Sequence, residues 1–474
     1  MKALRLSICL LIAFSGARSF ANEPAAGADP LSADPWSGVT GLLAQEHQHS
    51  RPSTPPTPAM TLAELETSAL ANNPEIRAVV RRVAIFETRV RSAGSLSDPE
   101  FMYRGWGTPL AKPWDLNQTQ HMFMINQSLP GPGKRGLRTQ LAAEGVEQVK
   151  AELEAKRRDV TAQVRKTFYD LLRNQDELLL HDEQAALARQ SSESARIKYV
   201  VGRVPQQDVL KAQIALTKLV EHLVMLEQDG GLARARLNTL LGRDPGSVLE
   251  VQGEYSPPQK LPALLDLEKN ALENRPELAM SSSGVRQGEA RAKLAEKAYT
   301  PDYNLSAGYM LMPDGARYRN TYMAELSVTL PWLNRGRHDA EIAEANADLS
   351  AERAEYDNQR ALVFEEIQEA LIRAQSAKRL VDLYSQTLRP QAQATLKSTI
   401  AAYQADRTDF LNLLDSQNTT LEVELDYYRA ATELESRIAD LERAVGAPLT
   451  RDGHESDTPV PQASLPQITP EVRQ

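Results

Sequence analysis

In the segment "TYMAELSVTLP", Tyr322, Ala324, Leu326, Val328 and Leu330 alternate with Thr321, Met323, Glu325, Ser327 and Thr329. A period of two gives a strand one apolar and one polar face, and about ten such residues suffice to cross a bilayer as a tilted strand. The segment "PDYNLSAGYM" sets Tyr303, Leu305, Ala307 and Tyr309 against Asn304, Ser306 and Met310, and "PEFMYRGWG" sets Phe101 and Tyr103 against Met102 and Arg104. A fourth segment is looser: Phe123, Ile125 and Leu129 share a face with His121 and Gln127, while Met122, Met124, Asn126 and Ser128 lie opposite. Elsewhere the period is helical. From Lys134 to Val200 there is no proline, the only glycines are Gly136 and Gly145, and Val160, Val164, Phe168 and Leu171 recur at helical spacing. One helix over that stretch would be about 100 Å long.

The same order of elements occurs twice. Pro74 in "NNPEIRA" answers Pro276 in "NRPELAM", and Pro99 answers Pro301, both at an offset of 202; Gly242 answers Gly446 at 204. Each repeat opens with a helix (Leu62 to Ser95; Leu264 to Tyr299), continues through a strand pair into a long helix, turns near Gly202 or Asp406, and returns as a helix. The repeats span 61–250 and 251–449, after a Pro-rich flexible linker over 22–60 and before a disordered tail over 450–474. The fold class is mainly α with a small β part. Residues 1–21 read as a signal peptide: Lys2 and Arg5, an apolar run from Leu6 to Phe14, then small residues at Ser19 and Ala21. No later apolar run is long enough for a spanning helix, so any crossing of a membrane falls to the strands. Four strands do not close a barrel, and an open apolar sheet is not tolerated in lipid, so several copies must share one barrel.

Composition narrows the function. A net charge of -9 and a pI near 5.5 argue against nucleic acid as a partner. The single cysteine, Cys9, lies in the leader, so the mature chain has neither disulfides nor thiolate metal sites. No His-Glu-x-x-His pattern or Gly-x-Ser-x-Gly elbow occurs, and the many acids on long helices are expected to be solvated. The chain is read as a non-enzyme without cofactor. At the strand-to-helix junctions, "QSLPGPGKRGLR" and "VTLPWLNRGRHD", Pro130 and Pro331 end a strand, and Gly131 and Gly133 let the chain swing into a helix. "GPGKRG" is not a phosphate-cradling loop, because Ser128 and Arg135 stand where Gly and Ser or Thr are needed. Lys134, Arg135 and Arg337 oppose the helix dipole there, and lipid phosphate is the expected compensating partner. Asp406 and Asp409 fit a helix N-cap with a second acid at N3, which leaves Asn412 and Asp415 unexplained by capping.

The tandem repeat, the two hairpins, "LPGPGKRGLR" with its echo "LPWLNRGR", and "YQADRTDFLNLLDSQNTT" together resemble the TolC-like outer-membrane efflux family from Thr61 to Leu449, most closely its heavy-metal branch. The resemblance implies a homotrimer with a twelve-stranded outer-membrane β-barrel, continued by a periplasmic α-helical barrel. It implies a periplasmic adaptor and an inner-membrane RND-type pump as partners, and outer-membrane lipid around the barrel. The implied function is a passive gated exit duct for heavy-metal cations or small toxic compounds. On it, Asp406, Asp409, Asn412 and Asp415 fall at the periplasmic gate, with Asn412 where the family carries an acid. Gly202, Arg203, Pro205, Asp208 and Arg407 fall on adaptor-docking turns. Met102, Arg104, Met122, Met124, Met310, Met323 and Glu325 fall on the barrel lumen, where the thioethers suit soft metals but no metal site is assigned. The competing reading is a soluble periplasmic or surface coiled-coil structural protein with no channel.

Overall fold

The computed structural model describes residues 59–107, 116–313 and 315–449, so the leader, most of the linker and the tail lie outside the described residues. The first repeat runs α1 (Leu62–Asn72), α2 (Pro74–Gly94), β1 (Glu100–Trp106), β2 (Gln120–Leu129), α3 (Lys134–Val200) and α4 (Gln206–Leu240). The second runs α5 (Leu264–Asn274), α6 (Pro276–Glu296), β3 (Tyr303–Leu311), β4 (Asn320–Val328), α7 (Arg335–Leu383), α8 (Arg389–Gln404) and α9 (Phe410–Val445).

The opening helix expected over Leu62 to Ser95 is broken at Asn73, because the residue before a proline is kept out of the helical region; Asn73 has ψ 128°. Asn73 turns the break into a start. Its Oδ1 accepts from the amides of Glu75 and Ile76 at 2.9 and 3.1 Å, and its Nδ2 donates to the Leu240 carbonyl at 2.9 Å. The second repeat breaks at Arg275, before Pro276, and Arg275 donates to the Arg443 carbonyl at 2.6 Å. Each break abuts the end of its return helix at a left-handed glycine. A Cβ on Gly242 would lie 2.7 Å from the Asn72 carbonyl oxygen, and one on Gly446 2.7 Å from that of Asn274.

α3 is one helix of 67 residues, about 100 Å long. Its counterpart is interrupted: α7 passes through a π turn at Tyr384–Leu388 before α8, where Pro390 lacks the amide that a regular helix needs. The two largest apolar clusters hold the body of the bundle. Leu65, Val79, Val164, Phe168, Leu171 and Leu237 belong to the first, and Leu267, Val363, Ile367, Leu441 and Val445 to the second.

The strands form one antiparallel sheet in the order β1-β2-β3-β4, so the repeats join through β2 and β3. The register pairs Met102 with Met124, Met124 with Gly308 and Gly308 with Met323, which puts them on one face with Arg104, Met122, Met310 and Glu325. Phe101, Tyr103, Ile125, Leu305, Tyr322 and Leu326 lie on the other face and are exposed, Tyr322 at 88%. β1 and β4 each keep one unpaired edge.

The β2-to-α3 junction differs from its sequence reading. Only Gly133 uses left-handed freedom, with φ 85°; Gly131 is needed for space, since a Cβ there would sit 2.4 Å from the Pro301 carbonyl oxygen. All three junction cations have partners within the chain. Lys134 is buried and its Nζ donates to Asp302 Oδ1 at 2.9 Å, Arg135 donates to the Gly94 carbonyl, and Arg337 pairs with Glu341 at 2.7 Å. The Gly131 amide donates to the same Asp302 oxygen at 2.7 Å. Gly131→Ala is therefore expected to destabilise by about 2 kcal/mol. Gly136→Ala, with nothing within 4 Å of its Cβ, should be neutral or stabilising by up to about 1 kcal/mol. Thermal unfolding followed by circular dichroism separates the two.

Candidate functional site

The helical tip is where the two repeats turn back. α3 ends at Val200, and Gly202, with φ 74°, reverses the chain toward Pro205 at the N-cap of α4. In the second repeat Asp406 takes the place of Gly202 with φ 55°, the one left-handed non-glycine among the described residues. Its carboxylate accepts from Lys198 Nζ at 2.6 Å and from Arg203 Nη1 at 2.9 Å, so it ties the second turn to the first. Lys198 also donates to the Tyr403 carbonyl at 2.9 Å and lies 3.9 Å above the Tyr403 ring. Beneath them Ala195, Ala212, Tyr403, Phe410 and Leu413 pack together. The hydrogen bond from Lys198, then its charge and that of Arg203, hold Asp406 below the ordinary carboxylate value.

The capping expectation is corrected by this geometry. Asp409 is itself the N-cap of α9, its Oδ1 accepting from the Asn412 amide at 2.9 Å, and Asn412 is at N3. Asp406 caps nothing. Asp208 is buried in the first turn of α4, where burial and then the charge of Asp409 push its carboxyl above the ordinary value. Gly202, Arg203, Pro205 and Arg407 are exposed at the turns. Asn412 and Asp415 are exposed one turn apart on α9 and, with Thr395, Thr399, Thr408 and Thr419, line a polar groove of about 610 Å³ against α8. The structure thus joins Asp406 to Arg203 in the turn of the first repeat and leaves Asp415 exposed in the α8–α9 groove.

Two sets of residues escape a reading by sequence. Lys198 passes for the ordinary cation of a helix C-terminus, and its partner is 208 residues away. Acids expected to be solvated are buried instead: Glu177, Glu424, Glu435 and Glu442 are each at most 8% exposed. They are paired. Glu177 takes Arg173 at 2.8 Å, Glu424 takes Arg389 and Gln393 at 2.8 Å, Glu435 accepts from the Ser256 amide at 3.0 Å, and Glu442 takes Arg165.

An exposed apolar sheet face below long polar-faced helices, repeated twice in one chain, finds its counterpart in known proteins. The profile of the family described as outer membrane efflux protein matches residues 65–243 and 267–447, one match to each repeat. The chain belongs to the outer membrane efflux protein family. This makes it a channel for efflux across the outer membrane and not an enzyme. It is similar to the cobalt-zinc-cadmium resistance protein CzcC of Cupriavidus metallidurans, with 25% identity over 316 residues covering 64% of this chain and 73% of CzcC. Its fold is that of CusC, at TM-score 0.71 and 18% identity over 81% of this chain and 92% of CusC. It is also that of the outer membrane protein VceC of Vibrio cholerae, at TM-score 0.69 and 16% identity over 82% of this chain and 96% of VceC. Among the described residues no helix of this efflux protein is long and apolar enough to cross a membrane, and no group of three or more His, Cys, Asp or Glu side chains is placed to hold a metal.

Proposed function

We propose that three copies of this chain close a twelve-stranded barrel in the outer membrane, and that their long helices continue it as a tunnel into the periplasm. The carrying observation is the sheet: four strands, two unpaired edges and an exposed apolar face. Lipid covers such a face and copies of the same sheet close such edges. A soluble coiled-coil protein has no use for either. The duct spends no energy of its own; an inner-membrane pump of the RND type supplies it, and an adaptor docks on the tip turns at the exposed Gly202, Arg203, Pro205 and Arg407, with the buried Asp208 beneath them. The cargo is heavy-metal cations or small toxic compounds, and the similarity to a cobalt-zinc-cadmium resistance protein favours the metals.

At the periplasmic mouth, Asp415 and Asn412 face the axis and Asp409 stands behind them as the cap. Three carboxylates at a narrow mouth favour cations over anions. Single-channel recording of the purified protein in planar bilayers tests this. Asp415→Ala is expected to lower potassium-over-chloride selectivity by about twofold or more, and Asn412→Asp to raise it. Unchanged selectivity in both variants removes these residues from the mouth, and a protein that never inserts removes the duct.

A further inference from the structure

The sheet face assigned to the lumen carries five of the chain's ten methionines. Met102, Met124 and Met323 lie in one cross-strand row, and Met122 and Met310 are paired in the next. Residues directly opposite in an antiparallel pair are about 5 Å apart at Cα, and neighbouring rows on one face are about 7 Å apart. Flexible thioether side chains on such a grid have the reach to bring two or three sulfurs to one point. Core filling does not explain them: apart from Met124 these methionines are half-buried, on the face that also bears Asn126, Ser306 and Glu325. Polar groups lie beside the sulfurs, Gln120 Nε2 next to Met310 Sδ and Arg104 Nη2 3.7 Å from Met102 Sδ.

We propose that Met102, Met122, Met124, Met310 and Met323 form a thioether belt on the channel wall that binds soft monovalent cations of the Cu(I) and Ag(I) class in transit. The proposal rests on the reading of this face as lumenal. Thioethers are the soft donors that select Cu(I), and with Cys9 in the leader they are the sulfur ligands left to the mature chain. Charge is ordered along the path. On the helical side of the belt, Glu100 and Glu325 flank the row of Asn126 and Ser306, and on the outer side Arg104 ends the row of Met122 and Met310. A cation coming from the helices meets carboxylates, then sulfur, then a positive charge, which favours entry and weakens retention.

The test uses the full-length protein with silver nitrate in chloride-free medium, silver being the air-stable probe of this class. Met→Leu at all five positions keeps volume and apolarity while removing sulfur. The wild type is expected to bind at least one silver ion per protomer with sulfur neighbours in X-ray absorption, and silver is expected to block its single-channel current. In the five-leucine variant, silver affinity and block should fall by tenfold or more with potassium conductance unchanged. Should that variant fail to assemble, the pair Met102→Leu and Met323→Leu is read in the same way, with a loss of threefold or more expected. Silver binding that survives the leucines, or that shows no sulfur shell, overturns the belt. Block by tetraphenylphosphonium that matches silver block and persists in the leucine variants also overturns it, in favour of an apolar-solute surface. Failure of the lumenal reading is distinguishable: channels formed without silver block sink the belt and keep the duct, while sulfur-bound silver in a protein that forms no channels keeps the site and sinks the duct.

Discussion

Asp406→Ala is expected to raise the single-channel conductance of the reconstituted protein several-fold, with Lys198→Ala doing the same. Asp406 holds the turn of the second repeat to that of the first through Lys198 at 2.6 Å and Arg203 at 2.9 Å, in a left-handed conformation that an alanine adopts only at a cost. Removing the carboxylate takes this partner from both cations and relaxes the turn, so the return helix α9, which carries Asn412 and Asp415, loses its anchor at the helical tip. The double variant should be little more conductive than either single, because both remove the same contact. The pH response follows from the signs. Asp406 sits below its ordinary value of 3.8, so its contribution is complete above that pH and is lost as acid titrates it through its lowered folded value. Asp208 is shifted the other way by burial and by Asp409, so it takes up its proton at a higher pH than Asp406 and relieves the repulsion first. Conductance should fall slightly on mild acidification and rise only in strong acid. A rise already at neutral pH would place the latch elsewhere.

Arg275→Ala should destabilise the helical bundle by about 3–5 kcal/mol, the cost of leaving buried charges without their partner. The Arg275 side chain is 3% exposed; it donates to the Arg443 carbonyl at 2.6 Å and to Glu366 at 2.5 Å, and its Nε lies 2.8 Å from Glu277 Oε2. That last contact is an ion pair without hydrogen-bond alignment, and neither atom has another partner. Arg443 in turn donates to Glu277 at 2.6 Å and reaches Asp159 on α3. Burial alone would raise the Glu277 carboxyl, but Arg275 and Arg443 hold it below the ordinary value. Arg275→Met should cost less than the alanine, because it fills the volume. Denaturant unfolding followed by circular dichroism measures both, and equal, small losses would mean that the network is solvated in the assembled protein.

The sequence by itself determined what depends on local periodicity and on repetition. The length of α3, the four strands with their two faces, and the doubling of the whole order follow from patterns read along the chain, and the family profile repeats the doubling. The methionine face is of the same kind, because period two assigns each side chain to a face before any partner strand is known. Breaks at Asn73 and Arg275 were available from the prolines that follow them, although one unbroken helix is the simpler reading of the same residues.

Tertiary structure alone decided which charges are paired. A lysine at a helix end, an arginine before a proline and an aspartate in a turn look like solvated or capping residues until chain distant in sequence is brought beside them. Lys134 meets Asp302 168 residues on, Lys198 meets Asp406 208 residues on, and Arg165 meets Glu442 277 residues on. Periodicity places a residue on a face but says nothing of what that face touches. An ion pair depends on the second, since its strength falls with distance and its hydrogen bonds need alignment within a few tenths of an ångström.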